Sequence, residues 1–359
     1  MTYRTAIVGL SWIGSDPAGP PSDPVLGTAT PYSHASAMAP IPGIDVVGAC
    51  DIFEAARTRF TENWGSRWPG ATTYSDYREM LAAEKPEIVS VVTPDHLHKD
   101  VVFAAIEHGA KGIFCDKPLS VSLQEADEMV KAVRDAGVVM AVNYGRRWYP
   151  QYAEARRMVR AGELGPLSQI VVTSGGPRAM LWRNHTHVID LLNFLADAPP
   201  AWVWAELELG FEDYGTDYKG DGGSDPSTEP GANFYIAYSN GVRAYATGVK
   251  DTPPGEISVT LLGPKGRLVM DLQGMRLITV APSDVRVRAG AVSIEMIEPK
   301  YTVMGMQAAV LDLIRVMEEG GETQSPAETA RQTVAITDAI LLSQARGNVP
   351  VKLSELDPA

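Results

Sequence analysis

Short apolar runs alternate with helical stretches through the first 143 residues, and no other feature constrains the fold as strongly. Thr5-Ala6-Ile7-Val8-Gly9-Leu10 reads as a buried strand, and Ile44-Asp45-Val46-Val47-Gly48-Ala49-Cys50 as a second. Ile88-Val89-Ser90-Val91-Val92 is a β-branched run suited to a central parallel strand. Ile113-Phe114 and Val138–Val142 continue the series. Between them, residues 54–64, 100–108 and 123–134 have helical character. Strand alternating with helix predicts a doubly wound parallel sheet with right-handed crossovers.

After Asn143 the pattern changes. Helices are expected at Tyr152–Arg160 and His187–Leu195, the latter with Val188, Leu191, Leu192 and Leu195 on one face. Strand-like runs then follow in series, with Asn240-Gly241 as a hairpin turn between two of them. Helices return at about 305–319 and 326–345. The expected architecture is an N-terminal Rossmann domain over 1–143 and an α+β domain over 144–359 built on a large open, mostly antiparallel sheet. The C-terminal helices are free to pack back toward the first domain. Two segments read as loops: Ser15–Ser33, with five prolines (Pro17, Pro20, Pro21, Pro24, Pro31), and the Gly- and acid-rich Glu208–Gly231.

Net charge is −13, which argues against an extended nucleic-acid interface. Cys50 and Cys115 are too few for a disulfide framework or a zinc site. No run approaches a membrane span, and Met1–Leu10 lacks a signal-peptide pattern. A soluble cytoplasmic protein is expected.

Gly9-Leu10-Ser11-Trp12-Ile13-Gly14 follows the first strand and matches Gly-x-Gly-x-x-Gly at two of three glycines. Ser11 replaces the glycine where bare backbone normally meets a pyrophosphate. No helix start is evident before about Tyr32, although such a turn should feed a helix N-terminus. Asp51 closes the second strand, where an acid accepts from adenosine ribose hydroxyls and repels a 2′-phosphate. NAD is therefore favoured over NADP. Cys115-Asp116-Lys117-Pro118 sets a lysine at a strand's carboxyl end, where open α/β sheets bind ligands. Proline keeps that lysine extended.

These motifs resemble, in order, the glucose–fructose oxidoreductase/inositol dehydrogenase (Gfo/Idh/MocA) family. The resemblance spans the chain: the Gly9–Gly14 turn, Asp51, Thr93-Pro94-Asp95-His96-Leu97-His98, Asp116-Lys117-Pro118, Tyr144-Gly145-Arg146-Arg147-Trp148, and His187-x-x-Asp190-Leu191-Leu192. It implies NAD(P)-linked oxidation or reduction of sugars, cyclitols and related polyols. An open sheet that often forms the oligomer interface implies a homo-dimer or tetramer. The cofactor residues implied are Gly9, Ser11, Trp12, Ile13, Gly14, Asp51, Ile52, Thr93, Pro94, His98, Asp116, Lys117 and Trp182. The catalytic residues implied are Lys117 and His187, and the substrate residues are these two with Arg147, Trp148 and Arg183. Asp116 stands where the family usually has glutamate. Arg183 stands where it usually has an aspartate, and a guanidinium cannot relay a proton to His187.

The implied chemistry removes a hydride from carbon and a proton from oxygen. His187 or Lys117 serves as base, and Lys117 alternatively steadies the developing alkoxide. No metal is expected, since His96 and His98 lack a third ligand. Trp148, Tyr149 and Trp182 suit either sugar stacking or core packing. Arg178 and Arg183 suggest an anionic substrate. The acids Glu208, Glu212, Asp213, Asp217, Asp221, Asp225 and Glu229 suggest a cationic one if their loop covers the site. A sugar or cyclitol dehydrogenase leads the readings. A redox-neutral enzyme that retains NAD, and a non-catalytic nucleotide sensor, are the alternatives.

Overall fold

The structure, a computed structural model, describes residues 1–17, 32–252, 257–280, 292–300 and 303–356. The chain divides into two compact units, Met1–Trp148 with Val303–Arg331, and Tyr149–Thr302 with Gln332–Ala359. The first break therefore falls at Trp148 rather than Asn143, and the chain returns to the first unit late in its course.

In the first unit β1 (Tyr3–Val8), α1 (His34–Met38), β2 (Ile44–Cys50), α2 (Glu54–Trp64), β3 (Thr72–Tyr74) and α3 (Tyr77–Glu84) form one half. The other half is β4 (Ile88–Val91), α4 (His98–Glu107), β5 (Gly112–Cys115), α5 (Leu123–Ala136) and β6 (Val139–Val142). All six strands are parallel, in the order β3-β2-β1-β4-β5-β6. The order reverses between β1 and β4, which opens a crevice at the strands' carboxyl ends. Every residue of β4 and β5 is buried, as expected for strands covered on both faces. Phe60, Trp64, Trp68, Phe114 and Trp148 fill the core beside Ala309 and Leu313 of the returning helix.

In the second unit α6 (Pro150–Arg160), β7 (Gln169–Gly175), α7 (Thr186–Ala196), β8 (Pro200–Leu207), β9 (Ala232–Tyr238), β10 (Arg243–Val249) and β11 (Ile257–Gly263) come first. They are followed by β12 (Gly266–Asp271), β13 (Gly274–Val280) and β14 (Val292–Ile297). The returning helix of the first unit is α8 (Gly305–Glu319); α9 (Ala327–Ala345) and β15 (Val351–Lys352) end the chain's elements. The nine strands run β14-β13-β12-β11-β7-β10-β9-β8-β15, and only β7 and β10 pair in parallel among those described. Side chains alternate strictly on the central strands. Ile170, Val172, Ala244 and Ala246 are buried, whereas Val171, Tyr245 and Val249 are exposed. One sheet face therefore carries the core and the other remains open.

Candidate active site

The glycine turn is built by steric exclusion. Gly9 has φ +99°, and a Cβ there would lie 2.3 Å from the Val92 carbonyl oxygen. A Cβ on Gly14 would lie 2.1 Å from the Gly9 oxygen. Bare backbone is thus required at both ends of the turn. Trp12 takes φ +42° and is half exposed, and Ser11 is exposed.

The helix missing from the sequence pattern is present in two pieces. The Asp16 amide donates to the Trp12 carbonyl at 2.9 Å, closing one helical turn. The next two donors in that ladder come from beyond the proline-rich segment: His34 N to Ile13 O at 2.9 Å, and Ala35 N to Gly14 O at 3.1 Å. Ser33 caps α1 in a reciprocal capping box with Ser36 and donates its hydroxyl to the Asp16 carbonyl. The insertion leaves and rejoins one helix at the same level, so the glycine turn does feed a helix. Residues 18–31, the body of the expected loop, lie outside the described residues.

Asp51 lies beside this turn. Its carboxylate accepts from Leu10 N at 2.8 Å and from Phe53 N at 2.9 Å, and each oxygen keeps further acceptor capacity. Ile52 follows at 76% exposure, open to a planar ring. The Thr93 hydroxyl is buried with no hydrogen-bond partner among the described residues. Two glycines that admit no side chain, a shared carboxylate and a waiting buried hydroxyl fit a dinucleotide. Cys50 is no reactive thiol: burial, with Asp51 beside it, pushes it up to about 12.

At the end of β5 lies a polar cluster. Asp116 is mostly buried; its Oδ1 accepts from Asn143 Nδ2 at 2.9 Å and lies 3.6 Å from His34 Nε2. The other His34 nitrogen meets the Ser90 hydroxyl at 2.8 Å. Burial alone would raise the Asp116 carboxyl, but His34, Lys117 and Asn143 outweigh it and hold it well below the usual range. Lys117 follows half-buried, joined to Pro118 by a cis peptide bond. Nothing in sequence spacing links His34, Ser90 and Asn143, so only the fold reveals them. His98 is wholly buried with both ring nitrogens against backbone carbonyls, so its ring offers no exposed atom to a ligand. Pro94 is exposed in the same turn.

Arg147 and Trp148 do not present themselves to a substrate. Arg147 is buried and donates Nη1 to the Gln324 carbonyl, and Trp148 belongs to the core of the first unit. Tyr149 stacks on Tyr152.

In the second unit Leu181–His185 forms one π-helical turn, closed by His185 N to Met180 O at 3.1 Å, directly before α7. Such turns add a residue and rotate the following face, often at functional sites. Here His185 turns wholly inward while His187 stays partly exposed. A Cβ on Gly248 would lie 1.7 Å from His185 Nε2, so the ring fills the space that glycine leaves. Neither His185 nitrogen has a partner among the described residues, and burial, with Lys250 nearby, lowers it to about 4. Trp182 is fully buried, edge-on to Tyr218, so its ring serves packing rather than a cofactor surface.

The charges of the 208–231 segment are largely committed to its own fold. Glu229 is buried and accepts from Trp182 N and the Tyr218 hydroxyl. Glu208 pairs with Lys250 at 2.7 Å and accepts from Gly231 N. Asp221 accepts from the amides of Gly223, Ser224 and Asp225. Arg178 donates to Gly223 O at 2.6 Å, and a Cβ on Gly223 would lie 2.2 Å from Arg183 Nε. Both arginines thus brace this loop, and the charge arguments for an anionic or a cationic substrate lose their footing. No group of His, Cys, Asp and Glu able to hold a metal occurs among the described residues. Nor is any described helix long and apolar enough to cross a membrane.

A six-stranded parallel sheet with a glycine turn after its first strand is the fold of a dinucleotide-binding domain. Residues 3–144 match the family described as "Oxidoreductase family, NAD-binding Rossmann fold", Gfo/Idh/MocA. The likeness to the Gfo/Idh/MocA family lies in this NAD-binding domain. The chain is similar to scyllo-inositol 2-dehydrogenase (NAD(+)) of Bacillus subtilis, 32% identical over 141 residues, 39% of this chain and 40% of that protein. It is also similar to inositol 2-dehydrogenase of Salmonella typhimurium, 26% identical over 206 residues, 54% and 55% of the two chains. The matches span about half or less of these relatives. A solved levoglucosan dehydrogenase, in complex with NADH and levoglucosan, shares the fold over 98% of this chain and 100% of its own, with TM-score 0.77 and 17% identity.

Proposed function

We propose that this protein is an NAD-dependent dehydrogenase that oxidises a secondary hydroxyl of a sugar, sugar derivative or cyclitol, or reduces the corresponding ketone. The observation that carries this reading is Lys117. It stands at the carboxyl end of β5, beside a carboxylate held by His34 and Asn143, in the unit that bears the dinucleotide turn. The inositol dehydrogenases among the relatives support the substrate class.

NAD, held at the Gly9–Gly14 turn and by Asp51, would supply the hydride acceptor for the carbon–hydrogen bond. The hydroxyl proton must leave as the carbonyl forms. The proton acceptor is His187 or Lys117. Lys117 can alternatively donate a hydrogen bond to the reacting oxygen and steady its developing negative charge. Asp51 accepts from the ribose hydroxyls and disfavours a 2′-phosphate. The reading places the enzyme in the cytoplasm as a homo-oligomer. The open sheet face, where Trp202, Tyr235 and Tyr245 lie ring to ring, supports that assembly.

The test is NADH formation with a panel of myo-inositol, glucose, glucuronate and glucosamine. Turnover of one class, lost in Lys117→Ala and His187→Ala, is expected. Full turnover in both variants overturns the assignment.

A further inference from the structure

His98 is the first residue of α4, yet its ring points wholly inward, at 0% exposure. Nδ1 lies 3.0 Å from the Pro118 carbonyl oxygen and 3.3 Å from that of Leu119. Nε2 lies 3.0 Å from the Thr93 oxygen. These carbonyls belong to two different turns, one after β4 and one after β5. The paired register of the two strands ends at Val91 and Cys115, followed by Asp116 N to Val91 O at 2.8 Å. Beyond that point the His98 ring bridges the turns.

A carbonyl oxygen only accepts. A neutral imidazole has one N–H, so it satisfies one of these contacts and sets a lone pair against the other. Two donors require the imidazolium. Burial works against a charge here, but Cys115 at the end of β5, Asp95 of the turn before α4 and Asp116 just past β5 outweigh it and lift the ring to about 10.

We propose that His98 is a positioning residue: one N–H held by Thr93 O and the other by Pro118 O, it ties the two turns together and fixes Lys117 for catalysis. This rests on the role proposed for Lys117. The unassigned element is the clamp itself, a charged cross-link one layer below the reacting groups.

The two halves of the clamp can be removed separately. The amide of asparagine matches the position of Nδ1, and that of glutamine matches Nε2. His98→Asn therefore keeps the Pro118 bond, and His98→Gln keeps the Thr93 bond. With NAD and the panel member turned over fastest, His98→Gln is expected to lose kcat about a hundredfold, the scale of a small misplacement. His98→Asn should lose at least tenfold less, with NADH affinity within about threefold in both. A residue that only stabilises the fold gives no such order in kcat, so equal kcat in the two variants, or a reversed order, overturns the proposal.

Lys117→Ala separates the layers. Unchanged turnover there overturns the reading of Lys117 and the clamp with it; lost turnover there with equal His98 variants overturns the clamp alone. Should neither His98 variant fold, nitrogen–proton correlation spectra of ¹⁵N-histidine-labelled wild type decide. Both His98 nitrogens protonated at pH 8 upholds the clamp, and one bare nitrogen refutes it.

Discussion

His34 and Asp116 meet beneath the end of β5, with Nε2 3.6 Å from Oδ1 and the His34 side chain wholly buried. The pairing gives an acid beside the proposed catalytic lysine a fixed orientation, shared with Asn143. His34→Leu strips Asp116 and Ser90 of a partner each. We expect a loss of about 2 kcal/mol in urea unfolding at neutral pH, the cost of leaving buried polar groups unmatched. Because the folded Asp116 is depressed, its stabilisation is present above the unfolded carboxylate's value, about 4, and is lost as pH falls through the lower folded value. The gap between wild type and variant should therefore narrow below about pH 4. A gap independent of pH contradicts this role for the pair.

His185 makes a pH-dependent prediction of the same sign in a higher window. Its ring is buried without a partner among the described residues and lowered to about 4, so the unfolded chain binds its proton first. Stability from this group is full above about pH 6.5 and is lost as pH falls toward 4, by roughly 3 kcal/mol. His185→Phe keeps a flat ring against Gly248 and removes the proton. Its unfolding free energy should vary less across that window than wild type, by about that amount. Identical pH slopes in the two proteins would falsify the assignment.

Asp51 accepts from Leu10 N and Phe53 N, and the proposed function gives it the ribose hydroxyls. Asp51→Ala is expected to weaken NAD binding about tenfold or more, and to narrow the preference over NADP by a similar factor. Calorimetry with both cofactors reads this directly; unchanged NAD affinity shows that the carboxylate serves only the turn.

The split helix offers a further test. His34 N and Ala35 N continue the ladder that Asp16 N begins, and Ser33 Oγ reaches the Asp16 carbonyl. A chain joined directly from Asp16 to His34 should therefore fold, with a melting temperature close to wild type and NAD still bound. Loss of the folded first unit in circular dichroism contradicts the continuity of that helix.

The parallel sheet was legible because β4 and β5 are apolar on both faces, and the hairpin because Asn240-Gly241 permits φ +93° at Gly241. The turn at Gly9–Gly14 and the acid at Asp51 were legible from type and order alone. The helical turn at Trp12–Asp16 was hidden because its continuation in α1 lies far along the sequence. Trp148 and Trp182 were ambiguous because a ring suited to stacking is equally suited to a core, and burial decided for the core. The acids of the 208–231 segment showed their charge but not their hydrogen bonds, which tie Glu229 to Tyr218, Glu208 to Gly231 and Asp221 to Gly223 within the loop. The contacts of His34 and of His98 with residues of other elements are tertiary, and no spacing announces them.

The central claim is net hydride transfer to NAD. It is tested most directly by measuring NADH and oxidised sugar together, by absorbance and mass spectrometry, in one reaction of purified protein with NAD and the panel. The account predicts equal amounts of NADH and keto product, abolished together in Lys117→Ala. Product accumulating without NADH, or NAD bound with no product from any sugar, contradicts it.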